Sequence, residues 1–199
     1  MKEEKKLTRQ WIAGIAVLTA VIFALQIILR IMHLAPLDAL ITLVPVVVGT
    51  IIYDNIVSVW LGFVFGLSIL ICDTAEPFIA ANLFDAGLSF MIIGMATALG
   101  ARGVYMLFER KNETVATYAA AFTAPAIKNG VFLIISRILF MQVFLSMTGN
   151  SLDNVKMSKK FVAWTFLVET IINVLLVPII VLIIKKCKKK NDVNENDSL

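Results

Sequence analysis

The feature that most limits what this chain can become is its succession of apolar runs, which begin at Trp11 and continue to Ile184 with only short polar interruptions. A run of about 20 apolar residues matches the hydrocarbon core of a bilayer, and in lipid only helices or closed barrels satisfy every backbone polar group. Composition agrees: 59% of the residues are hydrophobic, 16% are charged, and the mean hydropathy is +0.88, where a soluble domain carries about a quarter charged residues. The expected fold class is an all-α integral membrane protein. The first run, Trp11 to Ile31, is followed by no small-residue cleavage site in a polar setting, so it is read as a retained span rather than a signal peptide.

Six spans are predicted. A charged lead, residues 1–10, precedes the first, which breaks near Arg30, His33 and Pro36. The second covers Ile41 to Tyr53, reaches crossing length only if Leu37 to Leu40 join it, and contains Pro45. The turn Asp54-Asn55 leads into the third, Ile56 to Cys72, with Gly62 and Gly66 at GxxxG spacing, a close-packing face. Cys72 to Asp85 reads as a loop, a candidate lid or re-entrant segment. The fourth span, Ala86 to Phe108, is rich in small residues; the fifth runs from Val115 to about Met141, and the sixth from Phe161 to Ile184. The membrane domain is thus 11–184, and 185–199 is a basic then acidic tail.

Charge sets the orientation. Of the 18 lysines and arginines, twelve fall on the side of the termini: Lys2, Lys5, Lys6, Arg9, Arg102, Arg110, Lys111, Lys185, Lys186, Lys188, Lys189 and Lys190. The positive-inside rule then places both termini in the cytoplasm. The formal charge of +4 reflects this orientation rather than affinity for nucleic acid. Cys72 and Cys187 fall on opposite faces and cannot pair, and His33 is the one histidine, so neither a disulfide framework nor a metal or other cofactor is expected.

Two groups of residues stand out. Ala16, Ala20 and Ala24 recur every four residues and form one line along the first helix. A lipid-facing helix gains nothing from a row of methyl groups, whereas a helix lying against another one does, which makes the stripe a docking surface. The second group is polar and lies within or beside the spans: Arg30, Asn82, Lys128, Asn129, Arg137, Glu169 and Asn173, with Gln26 near them. An ionisable side chain inside a bilayer costs at least about 2.5 kcal/mol, so such residues face the bundle interior or water and are candidate ligand contacts. Arg137 and Glu169 could equally form an ion pair that only fixes helix register. Lys128 and Arg137 against Glu169 leave a surplus cation, which a carboxylate-bearing ligand would complement; the alternative is a bundle that binds no anion. Neither a GxxxxGK[ST] phosphate loop nor an HExxH or GxSxG motif is present, so ATP hydrolysis and the common hydrolase chemistries are not expected.

The alanine stripe, the segment LVPVVVGTIIYDNIVSVWLGFVFGL from Leu43 to Leu67, and PAIKNGVFLI from Pro125 to Ile134 together resemble the substrate-binding S component of an energy-coupling factor (ECF) vitamin transporter. The resemblance covers roughly Trp11 to Ile184 and is nearest to the pantothenate-type branch. It implies a multi-pass protein of a bacterial cell membrane that captures a vitamin near its outer face. It further implies that Ala16, Ala20 and Ala24 dock on a transmembrane T component driven by two cytoplasmic ATPases, and that toppling of the S component releases the cargo inward. No enzymatic activity is expected. Two other classes remain open: an integral membrane enzyme with Glu169 and Lys128 as an acid/base pair, and a stand-alone proton-coupled carrier using Glu169.

Overall fold

The computed structural model describes residues 2–32 (2–10 as backbone), 41–71 and 75–143, with Leu167, Val168, Ile171 and Leu175. These residues form helices and turns, with no strand among them. The helices are α1 (Lys2–Ile31), α2 (Leu43–Ile52), α3 (Asn55–Ile69), α4 (Glu76–Ala81), α5 (Leu83–Phe108) and α6 (Glu113–Leu139). Among the described residues, three stretches are long and apolar enough to cross a membrane: Trp11–Ile31 of α1, α5 and α6. Their outer faces carry large exposed apolar side chains, among them Ile12, Val17, Ile28, Leu107, Phe122, Ile134 and Ile138. Such a girdle is stable against lipid and costly against water.

Local chemistry sets the helix ends. Asp54 accepts a hydrogen bond from the Val57 amide at 3.0 Å and starts α3. Asn82 accepts from the amides of Phe84 and Asp85 to start α5, and Asn112 accepts from those of Thr114 and Val115 to start α6. Asp85 and Glu113 in the first turns place negative charge at the positive end of each helix dipole.

Pairwise contacts give the directions. Gly14 lies against Tyr53, Leu18 against Gly49 and Gln26 against Thr42, so α1 and α2 are antiparallel. Gly62 lies against Gly94, Gly66 against Phe90 and Asn55 against Arg102, so α3 and α5 are antiparallel too. A short turn at Glu109 to Asn112 returns the chain from α5 into α6, where Gly100 faces Ile127. One end of the bundle thus holds Arg30, Thr42, α4 and Arg137; the other holds Trp11, Tyr53, Arg102 and Arg110.

The centre is the α3–α5 seam. A Cβ added at Gly62 would come within 2.5 Å of the Gly94 carbonyl oxygen and 2.7 Å of the Met95 Cα, and one added at Gly66 would collide with the Phe90 carbonyl. The GxxxG spacing therefore serves a backbone-to-backbone approach within the chain. Gly94 and Ala98 of α5 complete it, Gly100 serves the α6 side, and Gly103 meets nothing. α1 packs on α2 and α3 at the margin, with only 17% of its apolar window buried against 39% for α5.

Three expectations change in detail. α2 and α3, at 10 and 15 residues, rise about 15 and 22 Å and fall short of a core about 30 Å thick. Within the segment expected as a loop, Glu76–Ala81 is helical, and Phe78 is buried among Phe90, Phe132 and Phe140 at ring centroid distances of 5.9, 5.6 and 5.3 Å. α5 begins at Leu83 and α6 at Glu113, each slightly earlier than hydropathy suggests, because Asn82 and Asn112 cap them there. The expected sixth span and the tail lie outside the described residues, apart from four isolated positions.

Candidate functional site

Hydroxyl groups inside an apolar bundle normally turn back onto their own helix, where a carbonyl is always within reach. Most of the described ones do so. Thr50 donates to Val47 O at 2.8 Å, Ser68 to Phe65 O at 2.7 Å, Thr97 to Ile93 O at 2.7 Å and Thr123 to Ala119 O at 2.7 Å. Thr42 departs from the pattern: it donates across to Gln26 Oε1 at 2.8 Å, with both residues fully buried, and ties α1 to the start of α2. Ser89 departs further. Its Oγ is buried and has no hydrogen-bond partner. At about 100° per residue, Ser89 falls close to the line of Gly100 on the α6-facing side of α5 and about 16 Å nearer the Arg30 end.

Lys128 lies near the middle of α6 and is 7% exposed. It is engaged rather than free. Pro125, one turn earlier, lacks the amide that would bond within the helix and is itself buried. Asn129 is half-buried and engaged as well. Beside Gly130 no heavy atom lies within 4 Å of the position a Cβ would take, so that stretch of backbone is open.

The remaining candidates separate. Arg137 stands in the last turn of α6 and is exposed, nearer the helix end than its place in the apolar run suggested. Arg30, exposed at the end of α1, shares that end of the bundle. Asn82 serves the backbone: beyond the two amides it caps, its Nδ2 donates to Asp85 Oδ2 at 2.7 Å. Glu169 and Asn173, and with them any Arg137–Glu169 or Lys128–Glu169 pair, lie outside the described residues. Gln26, placed among the polar group, is held by Thr42. Arg30, Asn82, Lys128, Asn129 and Arg137 lie at more than one depth along the bundle. They divide into a charged rim, Arg30 and Arg137, and a deeper pair, Lys128 and Asn129.

Two participants carried no sequence signal. Ser89 resembles any serine in a transmembrane helix. Arg102 looks like one more cation at a span end, yet its Nη1 donates to Thr50 O at 2.8 Å and Ile51 O at 3.3 Å, and its Nε to Asn55 Oδ1 at 3.4 Å. It closes the carbonyl end of α2, which Tyr53 leaves in extended conformation.

Ala16, Ala20 and Ala24 are all exposed. The face of α1 that meets the bundle carries Leu18, Ile22, Gln26 and Leu29, so the alanine line points away from the rest of the described chain. No family model matches the chain, and neither a curated protein nor a solved structure matches it.

Proposed function

We propose that this chain is the membrane-embedded substrate-binding component of an ECF-type ABC transporter, taking up a small carboxylate-bearing vitamin of the pantothenate kind. The observation that carries the proposal is the exposure of Ala16, Ala20 and Ala24 on the bundle-averted face of α1. A stripe used for internal packing would be covered by α2 or α3. This one is left for a second protein, the T component, which with two cytoplasmic ATPases supplies the energy that the chain has no motif to harvest.

In this reading the chain crosses a bacterial cell membrane six times with both termini inside, the Arg30 end of the bundle faces out, and the protein is not an enzyme. Ligand enters at the outer end. Arg30 and Arg137 attract its carboxylate at the rim, and Lys128, Asn129, Glu169 and Asn173 contact it further in. The unpartnered Ser89 hydroxyl, on the α6-facing side of α5, supports a polar occupant between α5 and α6. A membrane enzyme or a proton-coupled carrier would make no use of the outward alanine line.

Affinity purification of the tagged protein from its native membrane tests the proposal. Two P-loop ATPases and a polytopic partner should come with it, and pantothenate or a related carboxylate should be released on denaturation. Transport by the chain alone in liposomes under a pH gradient would overturn it in favour of the carrier.

A further inference from the structure

Ser89 is 4% exposed and its Oγ has no hydrogen-bond partner. Thr97, on the same helix, satisfies its hydroxyl by donating to the carbonyl four residues back, a bond that is open to any serine in an α-helix. A buried hydroxyl that makes neither this bond nor another carries a desolvation penalty that its own helix could have relieved.

What lies beside it gives the penalty a direction. Gly100 faces Ile127 across antiparallel α5 and α6, so moving about 16 Å along both helices brings Ser89 level with the stretch of α6 between Ser136 and Phe140. Those two residues are buried, and half-buried Phe132 lies one turn deeper. Phe90, the residue after Ser89, joins Phe132 and Phe140 in holding one ring, that of Phe78, at centroid distances of 5.9, 5.6 and 5.3 Å. α4 delivers this ring. The helix is 6 residues long, far below the roughly 12 to 15 that persist alone in water, and Phe78 is the one buried residue within it. A single extended residue, Asn82, connects it to α5. Phe78 is thus a plug on a short arm, set among three rings next to a hydroxyl that it cannot satisfy.

We propose that the slot filled by the Phe78 ring is a binding site for a phenyl-sized apolar group bearing one uncharged hydrogen-bonding oxygen. Phe78 withdraws to admit the group, and Ser89 reads the oxygen. The plug is the template for size and polarity: a replacement must fill the space of one ring against three others, and must offer Ser89 the partner that Phe78 lacks. Charge is disfavoured. Among the described residues at this end, Arg30, Glu76 and Arg137 are exposed and Asp85 is bound by Asn82, so an ionised group in the slot would lose its water without gaining a counter-charge from them. The inference goes beyond the transport reading and does not rest on it. If both hold, the slot takes the uncharged end of the cargo and leaves its carboxylate to the cations.

Two measurements on the full-length protein in detergent test the site. With Cys72 and Cys187 replaced by serine, the thiol of Ser89→Cys should react slowly with a maleimide, and adding Phe78→Ala should speed the reaction about tenfold or more. Thr97→Cys, buried about 12 Å deeper on the same helix, should not be accelerated. Equal acceleration of the two thiols, or none at Ser89→Cys, overturns the proposal, because Phe78 then supports the whole bundle or covers nothing. Fluorine NMR titration supplies the ligand class. Para-fluorobenzyl alcohol should bind the unmodified protein, and should bind Phe78→Ala about tenfold more tightly because no ring has to leave. Ser89→Ala should weaken binding of the alcohol about tenfold, the loss of about one hydrogen bond, while leaving para-fluorotoluene unaffected. Para-fluorobenzoate should bind more weakly than the alcohol. Binding of the alcohol to neither protein, binding indifferent to Ser89→Ala, or a preference for the benzoate overturns the assignment.

Discussion

A buried hydroxyl without a partner forfeits about 1 to 3 kcal/mol of desolvation, and Ser89 is the described residue that does so. Its replacement by alanine tests what that cost serves. Ser89→Ala should raise the unfolding temperature of the ligand-free protein in detergent, because the penalty disappears with the oxygen. If Ser89 donates to cargo, as the transport reading has it, the same variant should bind pantothenate about tenfold more weakly in a calorimetric titration, the loss of about one hydrogen bond. Arg102 is the converse case, a charge whose work is structural. Three acceptors on α2 and α3 share its guanidinium. Arg102→Met should therefore cost about 1 to 3 kcal/mol in thermal stability. Lysine, a point charge without the planar fork, should restore only part of it.

At the level of elements, the α3–α5 seam and the short α4 carry separate burdens. Gly66→Leu or Gly94→Val forces a side chain into a backbone contact that has no room for a Cβ, and each should lower stability by about 1 to 3 kcal/mol or more in reversible denaturant unfolding. Gly103→Ala is the control. Nothing lies within 4 Å of its Cβ position, so it should be neutral or slightly stabilising. α4 is held mainly through Phe78, seated edge-on against three other rings, while Glu76, Ala80 and Ala81 are less deeply placed. Phe78→Ala should cost about 3 to 5 kcal/mol. Hydrogen exchange at residues 76–82 should quicken in that variant while α5 amides beyond its first turn stay protected. If the segment closes over cargo, added ligand should slow exchange there in the unmodified protein.

For the molecule as a whole, the question is what covers α1. Ala16→Leu and Ala20→Trp place bulk on an exposed face of α1, so the isolated protein should keep its stability within about 0.5 kcal/mol and its ligand affinity unchanged. If the transport reading holds, uptake in cells that supply the T component and ATPases should be lost, because helices separated by a large side chain no longer pack. Normal uptake in both variants would remove the docking face from the transport reading.

Much of this was legible in the chain itself. Long apolar runs can only be helices once lipid is the solvent, but hydropathy set the starts of α5 and α6 at Ala86 and Val115, because it does not register Asn82 and Asn112 closing the first open amides of each helix. GxxxG spacing at Gly62 and Gly66 announced a close contact but could not name Gly94 as its other half, since spacing along one helix says nothing about which helix lies opposite. Four-residue spacing of alanines likewise defined a line without a direction. Only the burial of Ile22, Gln26 and Leu29 on the far side turned that line away from the bundle. The same holds for Arg102 and Ser89. Whether a cation caps a neighbouring helix or a hydroxyl bonds its own carbonyl depends on atoms brought near by folding, residues 47 positions away for Asn55 and Arg102, and no local pattern in a sequence encodes a neighbour that distant.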